Sequence, residues 1–261
     1  MAITVKTWGT SDASKCVFLV HGMAAAPSSW DTVATKLADQ GYYVVAPALP
    51  GHGGSPFAPG SDYSVAGLAN ALLPSLIAEA EHGRPIVIIG HSLGGNVVLA
   101  LLQALKSSTT ATSKTLLSTS LPVVLVDPPL FVDPAQTPED HRMIAGMVSQ
   151  RNKGSKGSGE QRCEVKAIDA IFEQNSPWSF AHLLADLPKN VSLLLLAADP
   201  AHDAKCKLGD VAPYIQGANG IYEHISCQVV KGVGHCMHLE RPDDFIHTVS
   251  EFLSKGGSVS K

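Results

Sequence analysis

The stretch PIVIIGHSLGG, residues 85–95, runs from an unbroken apolar segment into a serine fenced by glycines. The apolar half is short and β-branched, which reads as a strand covered on both faces. LGGNVVLALLQALK, residues 93–106, follows as a long apolar helix. Between them Gly90, Ser92 and Gly94 fit G-x-S-x-G, the pattern of a strained strand-to-helix turn. Glycines two residues either side remove the Cβ atoms that such a turn would force together. The turn lifts the Ser92 hydroxyl into the open, near a helix N-terminus whose dipole favours negative charge. A plain surface turn would also explain these residues, but it would need no partners elsewhere in the chain.

Outward from this point, apolar runs alternate with helical patterns. CVFLVHG (16–22), YYVVAP (42–47), LPVVLVDPP (121–129), VSLLLLAADP (191–200) and ISCQVVKGVGH (225–235) read as strands. Helices are expected over 29–41 with Ser29 as N-cap, over 64–81 with Pro74 kinking or dividing it, near Val211, and over 242–253 with Pro242 in the first turn. The Ser/Thr-rich segment 107–120 reads as an exposed loop. Strands that are apolar throughout belong in a largely parallel sheet with helices on both faces. From 131 to 188 that alternation stops. This gives an expected division into a core, 1–130 and 189–261, and a helical cap, 131–188, with a mobile loop in its polar tract 150–162.

A serine attacks only if a base takes its proton. His235 stands after the last strand, behind Gly232 and Gly234, and is preferred to its rival His238. The base needs a carboxylate to fix its tautomer. Asp199 and Asp127 both end apolar strands between Ser92 and His235; Asp199 is favoured, Asp127 is the alternative and Asp203 a distant third. An oxyanion needs two backbone donors; Leu93, after the nucleophile, and Met23, in the loop after the first buried strand, are the candidates. His21, His52 and His91 read as loop-bracing residues. Cys236 has no such turn around it and is not the expected nucleophile, and HCMH (235–238) is a poor metal site.

The chain has 261 residues, 45% apolar and 16% charged, with a net charge of −4. That composition is globular and gives no electrostatic reason to expect nucleic acid or an anionic membrane as a partner. No basic-then-apolar leader is seen, the apolar runs are far short of a membrane span, and the five cysteines lack framework spacing. A cytoplasmic protein with free thiols is expected.

FLVHGMAAAPSSW, YYVVAPALPGHGGSP, GHSLGG and GVGHCMHLERPDDF, in that order, resemble the α/β-hydrolase superfamily across almost the whole chain. The resemblance implies an eight-stranded, mostly parallel sheet, a Ser–His–acid triad, no cofactor and no metal, and a cap that shapes the pocket. The family's acid most often follows the penultimate strand, matching Asp199; some branches place it one strand earlier, matching Asp127. Ala48 stands where many relatives carry an acid. The expected activity is cleavage of a small, largely apolar ester or lactone, with Phe131, Phe172, Trp178, Phe180 and Leu183 lining the pocket. A small-molecule receptor or slow hydrolase on the same fold, and a carbon–carbon bond hydrolase or acyltransferase, are the alternatives.

Overall fold

The computed structural model describes residues 2–154, 163–217 and 220–255. The apolar runs form β2 (Lys15–Val20), β3 (Tyr42–Pro47), β4 (Ile86–His91), β5 (Leu121–Val126), β6 (Val191–Ala198) and β9 (Ile225–Val230). They stand in one sheet in the order β1-β3-β2-β4-β5-β6-β9, all parallel except β1 (Val5–Trp8), which pairs antiparallel with β3. The sheet therefore has seven strands among the described residues, where eight were expected. Ahead of β2 a single antiparallel strand covers the edge, and β1 itself was not foreseen because it is short and only half-buried. A separate hairpin pairs β7 (Gln216–Gly217) with β8 (Gly220–Ile221).

Side chains alternate between two cores. Cys16, Phe18 and Val20 of β2 join Leu68 and Leu72 of α2 (Val65–Ala80) and Val97 and Leu101 of α3 (Leu93–Ser107). Val17 and Leu19 point the other way, onto Val33 and Leu37 of α1 (Asp31–Asp39) and Phe245 and Val249 of the helix Pro242–Ser254. This double coverage is why the strands read as continuous apolar runs.

Four local expectations are corrected or extended. Helix α2 runs unbroken through Pro74, capped by Ser64, whose Oγ accepts from the Gly67 amide at 3.0 Å. Ser29 does not cap α1; it lies in a 3₁₀ turn, Pro27–Trp30, and its hydroxyl donates to the Ala26 carbonyl. The Ser/Thr-rich segment contains α4 (Ala111–Leu116), capped by Thr110 and anchored by buried Leu116. Hydroxyl residues suit caps as well as loops, so composition alone misled there. Residues 150–154 of the polar tract close α5 (Thr137–Gly154); the rest of the expected loop, 155–162, lies outside the described residues.

Within 131–188 the described residues add no strand to the sheet. They supply α5, α6 (Val165–Gln174) and a 3₁₀ turn, Ala181–Asp186. Asn175 ties α6 to the core, accepting from the Val65 amide and donating to the Tyr63 carbonyl. No described helix is long and apolar enough to cross a membrane.

Candidate active site

Ser92 follows β4 and caps α3 with φ 53° and ψ −126°. A Cβ on Gly90 would lie 2.5 Å from the Gly94 carbonyl oxygen, and one on Gly94 would lie 2.3 Å from that of Val20. Both are inside hard-sphere contact, so the turn requires glycine on each side of the serine. The Ser92 amide donates to the Val126 carbonyl at 2.9 Å, fastening the turn to the adjacent strand.

His235 follows β9. Its Nδ1 stands 2.7 Å from Oδ2 of Asp127, which is fully buried. The sequence favours Asp199 for this contact, and the structure replaces it with Asp127. Asp127 leaves β5 with φ 44°, and its carboxylate collects the amides of Ala198, Lys205 and Cys206 besides the imidazole. Burial alone raises a carboxyl pKa, but the His235 bond and the Ala198 and Lys205 amides outweigh it and leave Asp127 below its ordinary value. Asp199 instead accepts from Gly232 and Ala201 amides, and its own amide donates to Val233. It buckles the loop just before His235. Asp203 pairs with Lys205 at 2.6 Å.

Ser92 and His235 line one cavity of about 720 Å³, together with Met23 and Leu93. Among the described residues Ser92 Oγ makes no hydrogen bond to the ring; such bonds commonly tighten only with substrate present. The Met23 and Leu93 amides also have no hydrogen-bond partner among the described residues. Two unused donors beside a serine fit the requirement for holding an oxyanion.

His21 explains how the Met23 amide is aimed. Its buried ring accepts from the Leu49 amide at Nε2, 3.0 Å, so the proton sits on Nδ1 and is donated to the Gly22 carbonyl, 2.8 Å. That carbonyl and the Met23 N–H are opposite ends of one planar trans peptide. Holding the oxygen toward His21 turns the N–H away from it. His21→Ala is expected to lower kcat about ten- to a hundredfold, part of what a whole oxyanion donor contributes, with KM little changed. Steady-state kinetics on a soluble ester check this; a change confined to KM would show that the ring does not act through the amide.

A column of rings stands behind His235. His91 Nε2 donates to the His235 carbonyl at 3.0 Å, and the His91 ring lies 4.7 Å from that of His235 and 4.4 Å from that of His238. The His238 ring lies tilted against that of Trp30, 4.3 Å between centroids, and is buried with neither nitrogen hydrogen-bonded among the described residues. Among the described residues it makes no hydrogen bond or ion pair to a carboxylate, whereas His235 does. Burial, with neighbouring imidazoles, pushes the pKa of His21 and of His238 from 6.5 down to about 3 and lowers His91 well below 6.5; burial alone brings His52 to about 4. Between 6.5 and those lower values the unfolded chain binds more protons than the folded one. Stability is therefore whole above the unfolded value and lost as pH falls through it toward 3. From pH 7.5 to 5.5 the four rings together are expected to cost on the order of 5 kcal/mol, in roughly equal shares. Urea unfolding at the two pH values measures it, and equal stabilities would contradict the neutral buried rings.

Of the expected pocket residues, Phe172 and Trp178 line the cavity. Phe131 does not; it is 46% exposed and bridges Ser179 through its backbone. Phe180 and Leu183 pack against the core, Phe180 edge-on to Trp178 at 5.4 Å. The wall the sequence reading missed is α5, with Met143, Ile144 and Met147, joined by Val132 and Leu239. The spacing of Met143, Ile144 and Met147, i, i+1 and i+4, was the available signal. Cys236 also lines the cavity, its thiol pKa raised chiefly by burial and then by Glu240.

A family model described as the alpha/beta hydrolase family matches residues 17–248. A serine hydrolase-like protein of Dictyostelium discoideum is 30% identical over 101 residues, 36% of this chain and 26% of that protein. A lipase of Mycobacterium tuberculosis, LipV, is 27% identical over 135 residues, 52% of this chain and 45% of its own. The chain thus spans between about a quarter and about half of the curated relatives it matches. Among solved structures, a thermophilic esterase from Thermogutta terrifontis superposes with a TM-score of 0.70 at 20% identity, over 97% of this chain and 93% of that one. The chain belongs to the alpha/beta hydrolase family.

Proposed function

We propose that the protein is a serine hydrolase that cleaves a carboxylic ester or lactone of a small, largely apolar substrate through an acyl-enzyme. The observation that carries this reading is the convergence of Ser92, His235 and the two unpartnered amides on one cavity. In this reading Ser92 Oγ attacks the carbonyl carbon while His235 Nε2 takes its proton. The Met23 and Leu93 amides hold the oxyanion. Asp127 keeps the other proton on Nδ1 and stabilises the imidazolium. His235 then protonates the leaving oxygen, and water repeats the sequence to release the acid.

The segment 131–188 acts in this reading as the cap, since α5 and Phe172 of α6 supply cavity walls. The test is a fluorophosphonate probe with mass mapping, run beside hydrolysis of p-nitrophenyl acetate. Labelling at Ser92 and turnover that is lost in Ser92→Ala are expected. Ligand binding without labelling or turnover would favour a receptor on the same scaffold, and turnover that survives Ser92→Ala would remove the nucleophile.

A further inference from the structure

Five residues of α5 line the cavity: Asp140, Met143, Ile144, Met147 and Arg151. Their spacing, i, i+3, i+4, i+7 and i+11, puts them on one face of the helix. The middle of that face is apolar, and Met143 and Met147 remain 59% and 43% exposed. Both residues line the cavity that holds Ser92. Both ends of the face are charged.

The face has a direction relative to the chemistry. Arg151 donates to the Ala24 carbonyl at 2.8 Å, and Ala24 adjoins Met23. The Arg151 end therefore stands at the oxyanion loop, and the face runs from there toward Asp140. The departing group has to leave on the His235 side, because His235 protonates it. That side is polar: Lys205, whose amide shares Asp127 Oδ2 with His235 Nδ1, is ion-paired to Asp203, and both line the cavity beside Cys236. The acyl arm is left with α5.

Resting on Ser92 as the nucleophile, we propose that α5 is a ruler for the acyl chain: it selects esters of unbranched apolar acids of medium length. Methionines suit this task because their flexible, polarizable side chains conform to a mobile chain. From Arg151 to Met143 the helix rises about 12 Å, eight residues at about 1.5 Å each. An extended chain advances about 1.2 Å per bond, as an extended backbone does, so roughly eight to ten carbons reach from the oxyanion-loop end of the face to Met143. One turn further on, half-buried Asp140 ends it. A longer chain would strip water from that carboxylate without replacing it.

The experiment is a series of p-nitrophenyl esters from two to sixteen carbons, assayed below their micelle concentrations with wild type, Asp140→Leu and Met143→Ala/Met147→Ala. In wild type kcat/KM is expected to climb about three- to fourfold per added methylene, as apolar burial predicts, peak near eight to ten carbons and then fall. Asp140→Leu is expected to move the peak to longer chains. The double variant is expected to lower the ratio of the eight-carbon to the two-carbon rate at least tenfold. Thermal melts confirm that each variant is folded. Wild type active on the short esters but with a flat profile, or a profile that neither variant moves, overturns the ruler and leaves Ser92 standing. No labelling at Ser92 and no turnover at any length overturns the nucleophile, and the ruler with it.

Discussion

Asp127→Asn is expected to cut kcat/KM on an activated ester about ten-thousandfold, while Asp199→Asn costs less than about tenfold. Asp127 holds four donors at once: three backbone amides and the Nδ1–H of His235. An asparagine offers one acceptor oxygen and an NH₂ group that must point at one of those donors. If it faces His235, the ring is driven to the tautomer with its proton on Nε2, the nitrogen that has to receive the serine proton. Asp127 is also held ionised below its ordinary pKa, so its titration does not set the acidic limb of the rate. Asparagine at 199 keeps an oxygen for the Gly232 amide and disturbs only the approach to His235. Parallel kinetics on the two variants decide the matter; a collapse in Asp199→Asn alone would restore the assignment the sequence favours.

Why the sequence favours Asp199 while the structure brings Asp127 to His235 has a physical reason. The Ser92 turn imposes its own residues: two backbone approaches leave room only for glycine at 90 and 94, and that demand is written locally. The histidine is similarly marked, by the glycines ahead of it. The acid is not. Asp127 and Asp199 each end an apolar strand, and nothing near either distinguishes them. What separates them is the segment 198–206 folding back to deliver three amides to position 127, a contact between residues about seventy apart. The cavity wall was hidden differently. Aromatic residues of the insertion drew the prediction, but Phe180 and Leu183 are spent on packing, and the helix that faces the cavity is charged on its other sides. The strand count rested on the family resemblance, and the described residues supply only one strand ahead of the first buried one.

Ser92→Ala and Ser92→Gly are expected to be equally inactive and unequal in stability. Either change removes the attacking oxygen, and loss of a triad member lowers kcat more than about a thousandfold, leaving what the amides and binding supply. Stability is governed by a different atom. At φ 53° and ψ −126° a side chain beginning with Cβ is strained by roughly 1–3 kcal/mol. The strain persists because the surroundings hold it: the Ser92 amide is bound to Val126, its carbonyl accepts from Gly95, and α3 starts at the next residue. Alanine keeps the Cβ and hence the strain. Glycine relieves it while adding roughly 0.5–1 kcal/mol of unfolded-chain entropy to overcome. The balance favours the glycine variant by about 1 kcal/mol, readable as a higher urea midpoint with an unchanged slope. A glycine variant less stable than the alanine one would mean that the hinge at Ser92 stores no strain, and that its shape is set by the contacts of its neighbours alone.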